Sequence, residues 1–414
     1  MSSLQQVLYK QMVSAMFVVM IIMLFNYDVF SQNSISKNDS IELQNEMDFS
    51  DIAMRISRKD KLNENFQEES RKSRFALLPN IGYSLQTGIQ VGIGGNATFY
   101  EGDNKDQKIS NILYNVSYCQ YHQFITIVQG NIWTKNNKYN IVTDWRYLKF
   151  PQKDFGLGMT TSLEDEHLID YSYLRFYQTI LQQIKKNVYV GIGYNLDYHW
   201  NISETPNSHN TPTDFSHYGD KDAQTISSGI TLNFLYDNRL NSINPEGGFF
   251  ANIIFRPNFI YLGSDENWQT ILMDIRKYFR PSSKSKNVLA FWTYNTLTFG
   301  GNTPYFDLPN TGGDEFSNTG RGYIQSRFRG RNMFYVEAEY RFKIIPNDFL
   351  GGVVFTNAQS FSEWPENTFQ KIYPAVGAGI RIKMNKHSRT NAAIDYAFGL
   401  DGNQGLFVNL GECF

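Results

Sequence analysis

Met333-Phe-Tyr-Val-Glu-Ala-Glu-Tyr-Arg-Phe-Lys343 alternates without interruption. In an extended chain, residues two apart share a face. Phe334, Val336, Ala338, Tyr340 and Phe342 therefore fall on one side, and Tyr335, Glu337, Glu339, Arg341 and Lys343 on the other. The pattern recurs in both directions along the chain. Val188, Val190, Ile192, Tyr194, Leu196 and Tyr198 oppose Tyr189, Gly191, Gly193, Asn195 and Asp197. Val376, Ala378, Ile380, Ile382 and Met384 oppose Gly377, Gly379, Arg381 and Lys383. One face suits hydrocarbon and the other a wet interior. A soluble sandwich would bury the oily face instead, and periodicity alone does not separate the two.

Connection lengths do. Such segments fall near 84 to 99, 109 to 119, 122 to 134, 138 to 149, 154 to 162, 168 to 180, 187 to 199, 223 to 236, 248 to 260, 268 to 280, 287 to 299, 332 to 343, 349 to 357, 373 to 384, 391 to 399 and 405 to 414. The spacing predicts sixteen strands. An even barrel with both termini periplasmic alternates short turns with long outer loops. The longest connections, about 200 to 222, 300 to 331 and 358 to 372, all fall on the extracellular side, and the tight turns around Asn347 and Lys386 on the periplasmic side. The fold predicted is all-β: a transmembrane antiparallel β-barrel of about sixteen strands. Leu406, Val408 and Leu410 alternate toward Phe414, on which the barrel is expected to close.

Ahead of the barrel, Lys10 precedes an apolar run from Met12 to Phe25, with Asn26, Ser31 and Gln32 beyond it. Fourteen residues of helix are too short to span a bilayer. The pattern predicts a signal peptide over 1–31, cleaved near Ser31. Residues 32–74 are polar, with a weak helical pattern at Ile52, Ile56, Leu62 and Phe66, and read as a linker or one periplasmic helix. Residues 75–414 form the expected barrel.

Composition narrows function mainly by exclusion. A net charge of -2 with no basic block argues against nucleic acid as a partner. Aromatic residues at 15%, with 32 Phe and 26 Tyr, suit chains that meet a membrane interface. Outer-membrane lipid is the expected surround. Cys119 and Cys413 read as two free thiols, both near the periplasmic ends of their strands. Of the histidines His122, His167, His199, His209, His217 and His387, three crowd one outer loop: His199, His209 and His217, with Asp214 and Asp220 beside them. Their spacing is irregular and the loop polar, so a solvated loop outweighs a metal site. No glycine loop for nucleotides, catalytic carboxylate pair or zinc signature stands out, so neither an enzyme nor a cofactor is expected.

Three stretches resemble the BamA/TamA superfamily of outer-membrane assembly proteins, the bacterial surface antigen type. The first is Leu78-Pro79-Asn80-Ile81-Gly82-Tyr83 with Gly88, Gly92, Gly94 and Gly95. The second is Tyr236-Asp237-Asn238-Arg239 through Asn244-Pro245-Glu246-Gly247-Gly248. The third is Arg321-Gly322-Tyr323, in the loop between the eleventh and twelfth expected strands.

The resemblance implies that Arg321 enters the lumen, with Glu337, Glu339 and Asn357 as candidate partners. Asn357 stands where the family usually has an aspartate. It also implies a seam between first and last strands, marked here by Gly88, Gly92, Gly94, Gly95 and Phe414. Between the expected signal peptide and the barrel lie about forty polar residues, too few for the POTRA domains usual in the family. A POTRA-less member that assists protein or lipid insertion or export is the function implied, with other outer-membrane or periplasmic proteins as partners. The alternative is a channel or surface-exposed structural barrel without clients.

Overall fold

In the computed structural model, the described residues are 46–49, 51, 74–102, 107–205, 213–218, 224–239, 241–282, 285–386 and 389–414. All lie in the compact unit Glu46–Phe414. The expected signal peptide over 1–31 and most of the 32–74 linker lie outside the described residues.

Sixteen long strands are β1 (Arg74–Ser84), β2 (Gly88–Phe99), β3 (Ser110–Cys119), β4 (Phe124–Trp133), β5 (Tyr139–Lys149), β6 (His167–Lys185), β7 (Val188–Thr205), β8 (Gln224–Asp237), β9 (Gly248–Asn258), β10 (Trp268–Phe279), β11 (Val288–Gly300), β12 (Asn332–Lys343), β13 (Leu350–Glu363), β14 (Tyr373–Asn385), β15 (Thr390–Phe398) and β16 (Gln404–Leu410). Each pairs antiparallel with the next. Two short strands, Gln152–Asp154 and Thr368–Phe369, extend the ladder beside β6 and β13.

The outside is oily and the inside polar. Ile192 is 69% exposed and Val376 56%, whereas Glu339 and Asp197 on the opposite faces are each 1% exposed. That polarity excludes a soluble sandwich, because its apolar face would have to converge inward.

β1 lies beside β16, so the strands form a nearly closed cylinder. Leu85, just after β1, packs where a Cβ on Gly405 of β16 would sit, 2.4 Å from its Cδ1. Among the described residues no paired register joins β1 to β16, although every other neighbouring pair has one.

The number of strands matches the expectation, but two of its elements differ and offset each other. The first strand is Arg74–Ser84, almost entirely inside the expected barrel region but ahead of the first expected strand at 84 to 99; the turn at 85–87 then leads into β2, which takes that strand's place. The expected strand at 154–162 is not a barrel strand, since only Gln152–Asp154 is extended there. Gly156 and Gly158 turn the chain inward at φ 91° and 83°, and the Met159 N–H lands on the Glu363 carboxylate at 3.0 Å. A segment whose backbone is satisfied by side chains inside the mouth has no use for a ladder.

The extra first strand reverses the direction of β2 to β5, which moves Cys119 to the opposite end of the barrel from Cys413. Both cysteines are free and buried. The seam glycines shift as well. Gly92, Gly94 and Gly95 lie on β2, paired with Asn80, Leu78 and Leu77 of β1, and Gly88 begins that strand. They sit one strand away from the seam. Nor does Phe414 close the barrel. β16 stops at Leu410, Gly411 turns at φ 107°, and Phe414 enters the lumen to stack on Trp292 at 5.1 Å.

Candidate functional site

The connection over 301–331 folds into the lumen. Arg329 donates to Asp154 at 3.1 Å and to the Tyr305 carbonyl at 3.1 Å, while the Tyr305 hydroxyl donates to Asp154 at 2.5 Å. Arg327 reaches the Thr161 carbonyl at 2.7 Å. The inserted connection and the segment 150–166 are therefore pinned together inside the mouth that carries the long loops. Asp314 ties the descending turn by accepting the N–H groups of Asn318 at 3.1 Å and Thr319 at 2.7 Å.

Arg321 follows that turn and is 1% exposed. Its guanidinium donates to Asp395 of β15 at 2.5 Å and to Glu337 and Glu339 of β12. It lies 3.6 Å from the centre of the Phe355 ring, a cation over an aromatic face. Glycines on β14 make the room. A Cβ on Gly379 would fall 1.8 Å from Asp395 Oδ1, and one on Gly377 2.3 Å from the Phe355 ring.

Gly322 has φ 109°, and a Cβ there would press to 2.8 Å from Ala375 Cβ, so this position combines a left-handed backbone with a close approach. The Tyr323 hydroxyl donates to the Pro374 carbonyl at 2.6 Å and accepts the Leu400 N–H at 2.9 Å. Arg-Gly-Tyr thus clamps the connection to β12, β14 and β15 together.

Below this lock runs a second charge layer. Arg341 donates to Glu339 at 2.8 Å, Arg381 to Asp395 at 2.5 Å, and Arg381 again to Glu412 at 2.7 Å. Glu412 belongs to the stretch after β16, which Arg341 also holds through the Phe414 carbonyl at 2.9 Å. Burial pushes the Glu412 carboxyl up, but Arg381 and Arg341 outweigh it and leave the group below the usual carboxylate range. Burial raises the Cys413 thiol well above its ordinary value. Asn318 donates to the Cys413 carbonyl at 2.7 Å and accepts from Asn409 of β16 at 3.0 Å, so the inserted connection touches the seam strand.

Of the residues singled out in the sequence, Arg321, Gly322, Tyr323, Glu337 and Glu339 come together. Asn357 does not reach the guanidinium; its Nδ2 donates to the Arg321 carbonyl at 2.9 Å. The place open to a third carboxylate is filled by Asp395, which sequence reasoning missed. Its signal was present: Asp395 is the acidic residue on the inward face of β15, in line with Asn391, Ala393 and Ala397. Gly88, Gly92, Gly94 and Gly95 take no part in this cluster.

The expected histidine loop is divided. His199 lies on β7 inside the barrel, stacked on Tyr173 at 4.2 Å, and Asp214 accepts the Leu157 N–H at 2.7 Å. His209, Asp220 and the His217 side chain lie outside the described residues. A guanidinium held by carboxylates orders the segment that carries it and gives up no proton.

The Omp85 superfamily domain matches residues 111–414. Among solved structures, BamA from Haemophilus ducreyi lacking POTRA domains 1-3 superposes with a TM-score of 0.52 at 14% identity, covering 82% of this chain and 69% of that one. CdiB from Escherichia coli gives 0.55 at 8% identity over 81% and 61%, and CdiB from Acinetobacter baumannii 0.51 at 12% over 82% and 60%. The chain thus spans less than two thirds of either CdiB. At these identities the likeness is one of fold. No curated protein matches the chain.

Proposed function

Because this chain belongs to the Omp85 superfamily, whose β-barrels are outer-membrane proteins, we propose that it assists the insertion or export of other proteins or lipids, working through the seam between β1 and β16. The long loops then face the cell exterior and the short turns the periplasm, and the segment over 1–31 exports the chain. Other outer-membrane or periplasmic proteins are its clients or partners.

One observation supports this reading above others: β1 is laddered to β2 along its length and to β16 not at all among the described residues. Unpaired N–H and C=O groups along a strand edge form a template on which an incoming strand adds by main-chain hydrogen bonds. In hydrocarbon such groups must find a partner, so an open edge is under pressure to capture one. The lumen offers a weaker route, since the connection over 301–331 and the segment 150–166 occupy its upper part.

The test is a seam lock. A Cβ at Gly405 sits beside Leu85, so Leu85→Cys with Gly405→Cys can be bridged by oxidation. In cells relying on this variant, oxidation should deplete a subset of the outer-membrane proteome or lipid content, and reduction should restore it. An unchanged profile under both conditions, and after deletion of the gene, would remove this function. A channel without clients would instead keep its activity when locked and show steady, large conductance in planar bilayers.

A further inference from the structure

Residues Glu46–Phe49 and Asp51, from the segment ahead of the barrel, are docked on the mouth ringed by the short turns. Asp48 and Asp51 form a reciprocal cap: the Asp51 N–H donates to Asp48 Oδ1 at 2.9 Å and the Asp48 N–H to Asp51 Oδ2 at 3.2 Å. Such a pair satisfies the free amides of a helix start. Here the same carboxylates have a second task. Asp48 accepts the Lys386 N–H at 3.0 Å, and Asp51 accepts the Lys386 ammonium at 2.7 Å. The Met47 N–H donates to the Asn347 carbonyl at 2.9 Å, and Glu46 lies 3.4 Å from Lys383 and 3.8 Å from Lys343. Asp48, Asp51 and Lys386 are 3%, 6% and 5% exposed, so these contacts are desolvated.

The receiving surface has its own charge logic. Lys343 and Lys383 stand one inward step beyond Arg341 and Arg381 on β12 and β14, and Lys386 follows in the next turn. Asp348 pairs with both Lys343 and Lys383. One aspartate against three lysines leaves the rim cationic until Glu46, Asp48 and Asp51 arrive. Down this wall, charge layers alternate in sign: Glu337, Glu339 and Asp395, then Arg341 and Arg381, then Glu412, then Lys343 and Lys383, then Asp348 and Glu46. The layers are met in turn by the inserted connection, the stretch after β16 and the segment before β1.

We propose that the rim of Lys343, Lys383 and Lys386 is a binding site for an acidic helix start, and that its resident occupant is Glu46–Phe49 with Asp51 of the same chain. Docking there tethers the region ahead of the barrel to the strands that hold Arg321. It is independent of the seam, so it stands or falls separately from the function proposed above.

A spin label at Phe49→Cys tests this, because Phe49 is 53% exposed and tolerates the label, while Cys119 and Cys413 are buried. The full chain is folded in lipid vesicles, and an unlabelled parent controls for the native thiols. Slow label motion is expected in the otherwise unaltered barrel. Lys386→Glu and Asp51→Lys should each make the mobile component dominant, and the two together should restore most of the slow component. Lys386→Gln, the milder change, serves if the reversal misfolds, with retained heat-modifiable gel mobility as the folding check. A mobile label in Phe49→Cys with no other change, a slow one in both Lys386 variants, or no recovery in the double exchange would overturn the proposal.

Discussion

Replacing Arg321 by alanine should free the inserted connection, and the size of the effect follows from the charges around it. Four carboxylates, Glu337, Glu339, Asp395 and Glu412, face three guanidiniums, Arg321, Arg341 and Arg381. Arg341 still holds Glu339 and Glu412, and Arg381 still holds Asp395 and Glu412, once Arg321 is gone. Glu337 keeps only the hydroxyl of Tyr335 among the described residues. Breaking a buried ion pair from one side costs about 3–5 kcal/mol, because the partner is left charged and desolvated. Loss of the contact with the Phe355 face adds about 0.5–2 kcal/mol.

At about 1.4 kcal/mol per decade, even the ion-pair term alone raises the opening equilibrium by roughly two to three and a half decades. Native-state trypsinolysis reads it, since Arg327 and Arg329 are each 1% exposed in the closed lumen. Cleavage that follows the open population should accelerate by that factor. Arg321→Lys should fall between, because an ammonium lacks the planar fork that reaches several carboxylates at once. Adding Glu337→Gln to Arg321→Ala should recover part of the loss by removing the stranded charge. Unchanged cleavage in Arg321→Ala, or strictly additive effects of the two substitutions, would refute the ionic-lock reasoning.

Gly322→Ala should loosen the same connection by about 1–3 kcal/mol, since a Cβ meets both an unfavourable φ and the Ala375 side chain; accelerated trypsin cleavage is the readout. For Glu412, folding lowers the carboxyl pKa, so its stabilising contribution is fully present above the ordinary glutamate value near about 4.3 and is lost as pH falls through the lower folded value. Urea midpoints of the native chain and Glu412→Gln should therefore differ at pH 7 and converge only as pH falls through that lower folded value. Phe414→Ala removes the ring stacked on Trp292 and should expose Cys413, whose buried thiol should otherwise resist a maleimide; an equally unreactive Cys413 in the variant would count against the docked arrangement.

The alternation in Met333–Lys343 and its counterparts, taken together with the order of long and short connections, was enough to determine an all-β barrel with an oily exterior and charged lumen. Period-two patterning is local, and hydrocarbon outside with water or salt bridges inside selects one face for each residue. It also placed Arg321 in the connection before β12 and put Glu337 and Glu339 on the inward face. Tertiary structure decided the rest.

Nothing local distinguishes 154–162, with its glycines and alternating side chains, from a strand; Asp214 and Glu363 claim its amides only when distant segments meet. Arg74–Ser84 falls ahead of the first expected strand because its ladder partner β2, not its own pattern, makes it a strand. Phe414 leaves the barrel wall because Trp292 and Arg341 wait inside, and Asp395 replaces the expected partner because β15 brings it against Arg321 beside the carboxylates of β12. Such outcomes depend on which groups close contact brings together, and sequence spacing carries no record of that distance.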